Sequence, residues 1–178
     1  MSSEGAKLFR HVAISMNGLV FLNLSPEHIE SHGSFEKYRD AKVSLARKLA
    51  RSHKPNRTLV VNSLDAASSY FIDAVKGKIP HITAFTLKDA EPFTLSDHGL
   101  SMTYKNVHIE SPLRGIFSIE NMLAAATYAS ACGISATDIA RALGSVSEIP
   151  GRVQFIRKGA QPFDVIVDYA HTPDAMAK

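Results

Sequence analysis

The residue with the clearest chemical consequence in this sequence is Lys42. Tyr38, Lys42, Leu45 and Leu49 are spaced four, three and four residues apart, so on a helix the lysine shares a stripe with three apolar side chains. Burying an unpaired ammonium is costly, and a buried lysine is therefore paired, neutral or chemically modified. The alternative is that Lys42 lies at the edge of the stripe and extends its ammonium into water.

Two histidines, His28 and His32, lie four residues apart after the apolar run Leu19–Leu24. On a helix they share one face, where two imidazoles can bind a single metal ion. Ile29 stands where the H-E-x-x-H pattern has its glutamate, which argues against a zinc protease. A structural or substrate-facing role at the carboxyl end of a strand is the alternative to metal binding.

A third candidate segment runs from Asp168 to Pro173, after an apolar stretch that predicts a buried strand and before a predicted helix start at Thr172. The carboxyl ends of parallel strands face the ligand crevice, and a helix N-terminus offers unpaired N–H groups to anions. In this place Asp168 can accept a hydrogen bond from a sugar hydroxyl. It can equally be a capping residue at the helix entry.

Two further polar residues have a functional and a structural interpretation. Arg152 follows Pro150-Gly151 and can bind a phosphate through two hydrogen bonds, or form a surface ion pair. Asn121 lies inside an apolar helix, either as a satisfied buried amide or as a reader of a base edge. The sequence contains no G-x-x-x-x-G-K-[ST] motif, so it has no phosphate-binding loop of that type.

Composition excludes several classes of protein. The 178 residues are 45% hydrophobic and 21% charged, which is ordinary for a globular chain. The single Cys132 excludes an intrachain disulfide framework and a C-x-x-C zinc site. Neither a membrane-length apolar run nor a secretory signal pattern is present, so we expect a cytoplasmic protein without a membrane partner.

The net charge of +3 comes from the first part of the chain, because residues 1–57 contain 10 Lys and Arg against 5 Asp and Glu. A basic segment can contact phosphates or nucleic acid. The sequence lacks the pI of a dedicated nucleic-acid domain and has no surface aromatics among these charges. We therefore interpret the segment as a solvated helix face and expect no nucleic-acid partner.

Alternating strands and helices must position these residues. Strands are predicted at 19–24, 58–62 and 79–87, and helices at about 26–32, 35–52 and 65–76. This alternation predicts an α/β fold with a mostly parallel sheet flanked by helices. Residues 93–117 instead alternate around Lys105-Asn106, which predicts an appended antiparallel hairpin.

The last third of the chain divides at Ile149–Arg152, where proline and glycine interrupt both helices and strands. Before this joint we predict helices at 118–132 and 137–143, and after it strands at 153–156 and 163–168. The residues beyond the joint predict the start of a second α/β domain.

Six ordered motifs in this chain resemble those of the Mur ligase family. The resemblance covers essentially the whole sequence, and its closest branch adds the third residue of the peptidoglycan stem peptide. The six matching segments are Met1–Gly5, Phe21–Gly33, Tyr38–Lys42, Ile119–Ala125, Pro150–Arg152 and Val167–Asp174.

The resemblance implies an ATP-dependent ligation with ATP and Mg²⁺ as cofactors. ATP phosphorylates the carboxylate of a UDP-N-acetylmuramoyl-dipeptide, and the amine of an incoming amino acid attacks the acyl phosphate. Catalysis of this kind consists mostly of positioning and neutralisation of phosphoryl charge.

The same resemblance implies roles for individual residues. Lys42 matches a lysine carried as a carbamate, and His28 a magnesium-associated histidine, so both are expected to be catalytic and to contact the metal. Asn121 matches a position that contacts adenine, Arg152 one that contacts phosphate, Asp168 one that contacts ribose, and His171 one that binds ATP. Ser2, Ser3 and Arg10 match positions that contact the UDP-sugar substrate.

The expected domains are residues 1–149, a central ATPase domain without its phosphate-loop unit, and residues 150–178, the beginning of a C-terminal ligase domain. On this basis the isolated chain is expected to be inactive. Leu8 and Ser63-Leu64 depart from the family pattern and leave substrate details open. The alternatives are a related ligase of the folylpolyglutamate or cyanophycin synthetase type, and a non-catalytic binding module.

Overall fold

The computed structural model describes residues 1–25, 29–156, 159, 161–171 and 176. The chain forms two compact units. The first contains residues 1–86 and 123–134, and the second contains residues 87–122 and 135–178. Within the described residues, no helix combines the length and the apolar character that a bilayer span requires.

A parallel sheet with three strands organises the first unit. Its elements in chain order are α1 (Ser3–Lys7), β1 (Gly18–Phe21), α2 (Ile29–His32), α3 (Phe35–Ala50), β2 (Thr58–Asn62), α4 (Ser68–Val75) and β3 (His81–Phe85). The strand order is β1-β2-β3, with Leu19 opposite Leu59 and Val61 opposite Ala84. Every residue of the central strand β2 is buried, as expected for a strand with neighbours on both sides. The predicted α/β class is confirmed.

The core of the first unit lies where α3 and α4 meet the sheet. The rings of Phe21 and Phe71 stack with centroids 4.1 Å apart. Tyr38, Leu45 and Leu49 are buried on α3, which confirms the predicted apolar stripe. The Ser34 side chain begins this helix by accepting a hydrogen bond from the Lys37 N–H at 3.3 Å, a standard N-cap.

The second unit begins with an antiparallel sheet. A 3₁₀ turn at Leu87–Ala90 leads to β4 (Thr94–Ser96), β5 (Gly99–Tyr104) and β6 (Val107–Ser111), with strand order β4-β5-β6. The predicted hairpin is confirmed: Lys105 and Asn106 both have positive φ, 47° and 65°, as a two-residue turn of type I′ requires. A third strand, β4, adds to this hairpin, and its three residues are too short a run to predict a strand from the sequence.

The remaining elements are α5 (Ile116–Ala131), α6 (Ala136–Gly144), β7 (Gln154–Ile156) and β8 (Val165–Val167). The last two strands pair with each other in antiparallel register. The prediction that residues 163–168 form a buried strand is wrong, because Val165, Ile166 and Val167 are 40–51% exposed. Apolar composition predicted burial on both faces, whereas within the described residues β8 has one neighbouring strand.

Candidate functional site

A cavity of about 670 Å³ opens in the second unit. Its wall combines the loop after β6, one face of α5 and the joint that precedes β7. The residues with polar or aromatic side chains on this wall are His98, Arg114, Phe117, Ser118, Asn121, Ser147, Glu148, Arg152 and Phe155. Volumes of 300–1,000 Å³ are typical of pockets for small molecules and cofactors.

Two residues singled out by the sequence meet at this cavity. Asn121 projects from α5 and Arg152 from the joint, and both line the wall. Asn121 is exposed, so its interpretation as a satisfied buried amide is wrong. The amide presents both a donor and an acceptor to the cavity. The helix places Phe117 one turn before Asn121, which adds an aromatic ring to the same wall.

Positive charge dominates the cavity wall. Arg114 and Arg152 contribute two guanidinium groups, against the single carboxylate of Glu148. The Arg114 guanidinium carbon lies 3.7 Å from the centroid of the Phe155 ring, a cation–π contact that restricts this side chain. Such a wall favours an anionic ligand, because guanidinium groups bind phosphate oxygens in a bidentate manner. Sequence reasoning missed Arg114, since nothing in its neighbours distinguishes it from a surface arginine.

Asp168 does not line the cavity but binds a residue that does. One carboxylate oxygen accepts a hydrogen bond from the Val153 N–H at 2.6 Å, and the other accepts one from the Ala170 N–H at 2.6 Å. These two hydrogen bonds, with the nearby Arg152 charge, lower the pKa of Asp168 below its ordinary value. Asp168 is therefore a carboxylate that holds two backbone segments together.

His171 lies outside the cavity wall. Its Nδ1 is 2.8 Å from the Tyr169 carbonyl oxygen, and its ring meets the Tyr169 ring edge-on with centroids 4.8 Å apart. The predicted helix start at Thr172-Pro173 lies outside the described residues.

In the first unit, Lys42 and His32 both flank the ring of Tyr38. Lys42 is half-buried, with its Nζ 6.0 Å from the ring centroid. His32 is 7% exposed, and its ring meets that of Tyr38 with centroids 5.5 Å apart. Within the described part of the chain, the His32 Nε2 atom has no hydrogen-bond partner. His28 lies outside the described residues.

A carboxylate missed by sequence reasoning links two loops at the carboxyl end of the parallel sheet. The Leu24 N–H, after β1, donates to Asp65 Oδ2 at 2.8 Å. The Ala67 N–H, before α4, donates to Asp65 Oδ1 at 2.8 Å. Asp65 therefore fixes the backbone at Leu24, in the loop that follows β1. Sequence spacing gave no signal for it, because Leu24 and Asp65 are 41 residues apart.

The three predicted substrate residues gather around α1. Ser2 caps this helix, its hydroxyl accepting from the Gly5 N–H at 3.0 Å. Ser3 is buried and Arg10 is exposed. A Cβ atom at Gly5 would lie 3.2 Å from Ser2 Oγ and 3.8 Å from Arg10 Cδ, so Ser2 and Arg10 flank the same glycine.

The described residues do not form a magnesium site by themselves. Across ranges 1–25, 29–156 and 161–171, no three His, Cys, Asp or Glu side chains are close enough together to hold a metal ion. Mg²⁺ prefers oxygen ligands in octahedral geometry. An unmodified Lys42 offers no such oxygen.

Comparison with known proteins gives consistent matches. Residues 1–129 match the family profile described as the Mur ligase middle domain. A curated UDP-N-acetylmuramoyl-L-alanyl-D-glutamate–2,6-diaminopimelate ligase from Geobacillus thermodenitrificans is 37% identical over 168 residues, which cover 88% of this chain and 34% of that protein. The ligase of the same name from Bacillus velezensis is 34% identical, covering 99% of this chain and 37% of that protein.

A solved structure of a ligase with the same name superposes with a TM-score of 0.76 at 28% identity. The match covers 99% of this chain and 37% of that structure. The chain therefore spans about a third of the length of the curated relatives it matches.

Proposed function

The chain belongs to the Mur ligase family, and from this membership we propose that it forms the nucleotide-handling part of an ATP-dependent ligase. The proposed reaction joins an amino acid to UDP-N-acetylmuramoyl-dipeptide as the third residue of the peptide. We propose that residues 1–149 belong to the central ATPase domain and residues 150–178 to the C-terminal ligase domain.

One observation carries this proposal: Asn121 and Arg152, the expected adenine and phosphate contacts, line the same cavity. The two residues are 31 positions apart in the sequence, and the fold brings them to one wall. The amide supplies the donor and acceptor that a base edge requires, while the guanidinium groups of Arg152 and Arg114 suit a polyphosphate. A volume of about 670 Å³ is appropriate for a nucleotide.

When bound, ATP supplies the phosphoryl group that converts the dipeptide carboxylate into an acyl phosphate. The chain contributes positioning and charge to this chemistry. Arg152 and Arg114 stabilise the negative charge of the phosphates. Stabilisation of this charge is a main source of catalysis in phosphoryl transfer. Ser2, Ser3 and Arg10 are the proposed contacts of the UDP-sugar substrate, and the exposed guanidinium of Arg10 suits its phosphates. Asp168 and His171 are proposed to lie at the nucleotide end of the site.

We propose that Lys42 is carbamylated. The neutral amine adds CO₂, a C–N bond forms, and one proton is released to water, which leaves an anionic carbamate with two oxygens. The match of Lys42 to the family's carbamylated lysine supports this modification, and its half-buried position leaves the amine accessible to CO₂. The carbamate of Lys42 and the imidazole of His28 are the proposed protein ligands of Mg²⁺.

The relatives' names direct the choice of substrates to test. Each of the two curated relatives is named as a ligase for 2,6-diaminopimelate, so this is the first amino acid to assay. The related alternative, a folylpolyglutamate-type ligase, predicts binding of a folate monoglutamate instead of a UDP-sugar. Titration of UDP-N-acetylmuramoyl-dipeptide and folate monoglutamate into the chain distinguishes them. We expect UDP-N-acetylmuramoyl-dipeptide to bind, and Arg10→Ala to weaken its binding. Arg51→Ala is the matched control at another exposed arginine and should leave the binding unchanged.

Calorimetry with ATP and GTP tests the nucleotide part. We expect ATP to bind more tightly than GTP, and Asn121→Ala to remove this preference, since the amide distinguishes the two base edges. Asn17→Ala, an exposed asparagine of the first unit, is the matched control. Absence of ATP binding would contradict the proposed function. Binding of ATP without any binding of a ligase substrate would favour the non-catalytic module.

A further inference from the structure

We propose that Asp168 is a positioning residue for the cavity: its carboxylate holds the turn Gly151–Val153 in the conformation that places Arg152 on the cavity wall. The inference rests on the proposed function, because the purpose of this placement is to bind the phosphates of a nucleotide. It assigns to Asp168 a role that acts through Val153 and Arg152 in addition to any direct contact with ribose.

The geometry of the carboxylate carries the first step. Its two oxygens each accept one backbone N–H at 2.6 Å, from Val153 and from Ala170. Both distances are short for N–H···O hydrogen bonds, as is typical when the acceptor is ionised. An ionised carboxylate is an acceptor at both oxygens, whereas an amide at this position has one acceptor and one donor. The arrangement therefore requires an aspartate and not an asparagine.

The backbone at Val153 shows why an anchor is needed there. Val153 has φ of +43°, a left-handed conformation that is unfavourable for a β-branched residue. A residue persists in such a conformation only when the surrounding structure determines it. The hydrogen bond from Asp168 to the Val153 N–H supplies this constraint, on the residue that directly follows Arg152 and itself lines the cavity.

Further hydrogen bonds hold the chain on both sides of Arg152. The Tyr169 N–H donates to the Gly151 carbonyl oxygen, and the Arg152 N–H donates to that of Ile149, each at 3.0 Å. The Gly151 N–H donates to the Gln154 side chain at 3.0 Å. The Arg152 guanidinium carbon also lies 5.2 Å from the centroid of the Tyr169 ring. Asp168 therefore joins the segment 168–170 to a turn whose other hydrogen bonds leave Arg152 little freedom.

The first experiment measures the anchor without any ligand. Amide hydrogen exchange of Val153 is compared by NMR in the wild-type chain, in Asp168→Asn and in Asp164→Asn. Asp164 is an exposed aspartate in the same segment and is the matched control. We expect exchange at Val153 to become about tenfold faster in Asp168→Asn, and to remain unchanged in Asp164→Asn. Equal exchange in all three proteins would overturn the proposal.

The second experiment separates positioning from direct ribose contact. Binding of ATP and of 2′,3′-dideoxy-ATP is measured for the wild type, Asp168→Asn, Arg152→Ala and the double variant. We expect Asp168→Asn to weaken 2′,3′-dideoxy-ATP by about tenfold, and ATP by at least the same factor. The loss for 2′,3′-dideoxy-ATP should disappear when Arg152 is already alanine. A loss confined to ATP would show that Asp168 acts through ribose alone and would overturn the proposal.

A compensating variant completes the test. Glycine adopts positive φ without strain, so Val153→Gly in the Asp168→Asn background should restore part of the lost affinity for ATP. Asp168→Asn with Val153→Ala, which keeps a side chain at this position, should not. Restoration by both variants would contradict the role of backbone strain. If the wild-type chain binds neither nucleotide, the proposed function fails, while exchange at Val153 still decides whether Asp168 holds the turn.

Discussion

Replacing Arg152 with alanine tests how the cavity recognises a nucleotide. The side chain lines the cavity wall and is exposed, and the proposed function assigns it to the phosphates. Its loss should therefore weaken ligands in proportion to the phosphate charge they carry. Adenosine, which has no phosphate, should bind the variant and the wild type equally.

The structure sets the magnitude of this effect. A hydrogen bond to a charged partner contributes about 1.5–3 kcal/mol, which corresponds to roughly 10- to 150-fold in Kd. Solvent reaches Arg152, so screening moves the value toward the lower limit. We therefore expect Arg152→Ala to raise the Kd of ATP about tenfold. Arg114 remains on the wall and keeps some affinity for phosphate.

Isothermal titration calorimetry with ATP, ADP, AMP and adenosine measures this series. Arg141→Ala is the matched control, because Arg141 is an exposed arginine of α6 whose guanidinium pairs with Asp138. The expected order of loss in Arg152→Ala is ATP, then ADP, then AMP, with none for adenosine. An equal loss for all four ligands, or the same loss in Arg141→Ala, would show that Arg152 does not bind the phosphates.

Four further predictions follow from other parts of the structure. Asp65→Asn should lower the free energy of unfolding in urea titrations by about 1.5 kcal/mol or more, because an amide cannot accept hydrogen bonds from both N–H groups that donate to the carboxylate. An unchanged free energy of unfolding would contradict this role of Asp65. Gly99→Ala should destabilise the chain by about 1–3 kcal/mol or more, since its Cβ would lie 2.3 Å from the Ser111 carbonyl oxygen. Gly133→Ala, where no atom lies within 4 Å of that Cβ, should cost only the strain of its positive φ, and equal losses would refute the steric argument. After incubation with ¹³C-bicarbonate, Lys42 should carry a ¹³C-labelled carbamate whose resonance is detected by NMR. We expect this resonance to be absent in Lys42→Ala. A carbamate resonance that the substitution leaves unchanged would reject the assignment to Lys42. The pKa of Asp168 is lowered in the folded chain, so its hydrogen bond to the Val153 N–H should be fully formed above the ordinary pKa of about 3.8 and should be lost as the pH falls below that value. A shift of the Val153 amide resonance during a pH titration measures this loss. A midpoint above pH 4 would contradict a lowered pKa.

The parallel sheet could be predicted from the sequence because its signals are local. The buried run Thr58–Asn62 is a strand with those same limits in the structure. The helix predicted from residue 35 begins there and ends at Ala50, two residues before the expected end. The strand expected at 19–24 is shorter and ends at Phe21, since the residues after it form the loop that Asp65 holds.

The candidate site was only partly accessible to sequence reasoning. Residue type pointed to Asn121 and Arg152, but their meeting at one cavity depends on the tertiary fold. Asp65 and Arg114 gave no signal, because their contacts join distant segments. The same limit explains the error at β8, where apolar residues predicted burial and the structure exposes them. The exposure of a strand depends on which elements pack against it, and a local sequence pattern does not contain this information.

Chemical-shift mapping with a non-hydrolysable ATP analogue shows whether the cavity beside α5 binds an adenine nucleotide. Backbone amides and the side-chain groups of Asn121 and Arg152 are followed in ¹H–¹⁵N spectra during the titration. We expect the largest changes to cluster on the residues of the cavity wall and to follow a single Kd. Changes that cluster elsewhere, or none at these two side chains, would contradict nucleotide binding at this cavity.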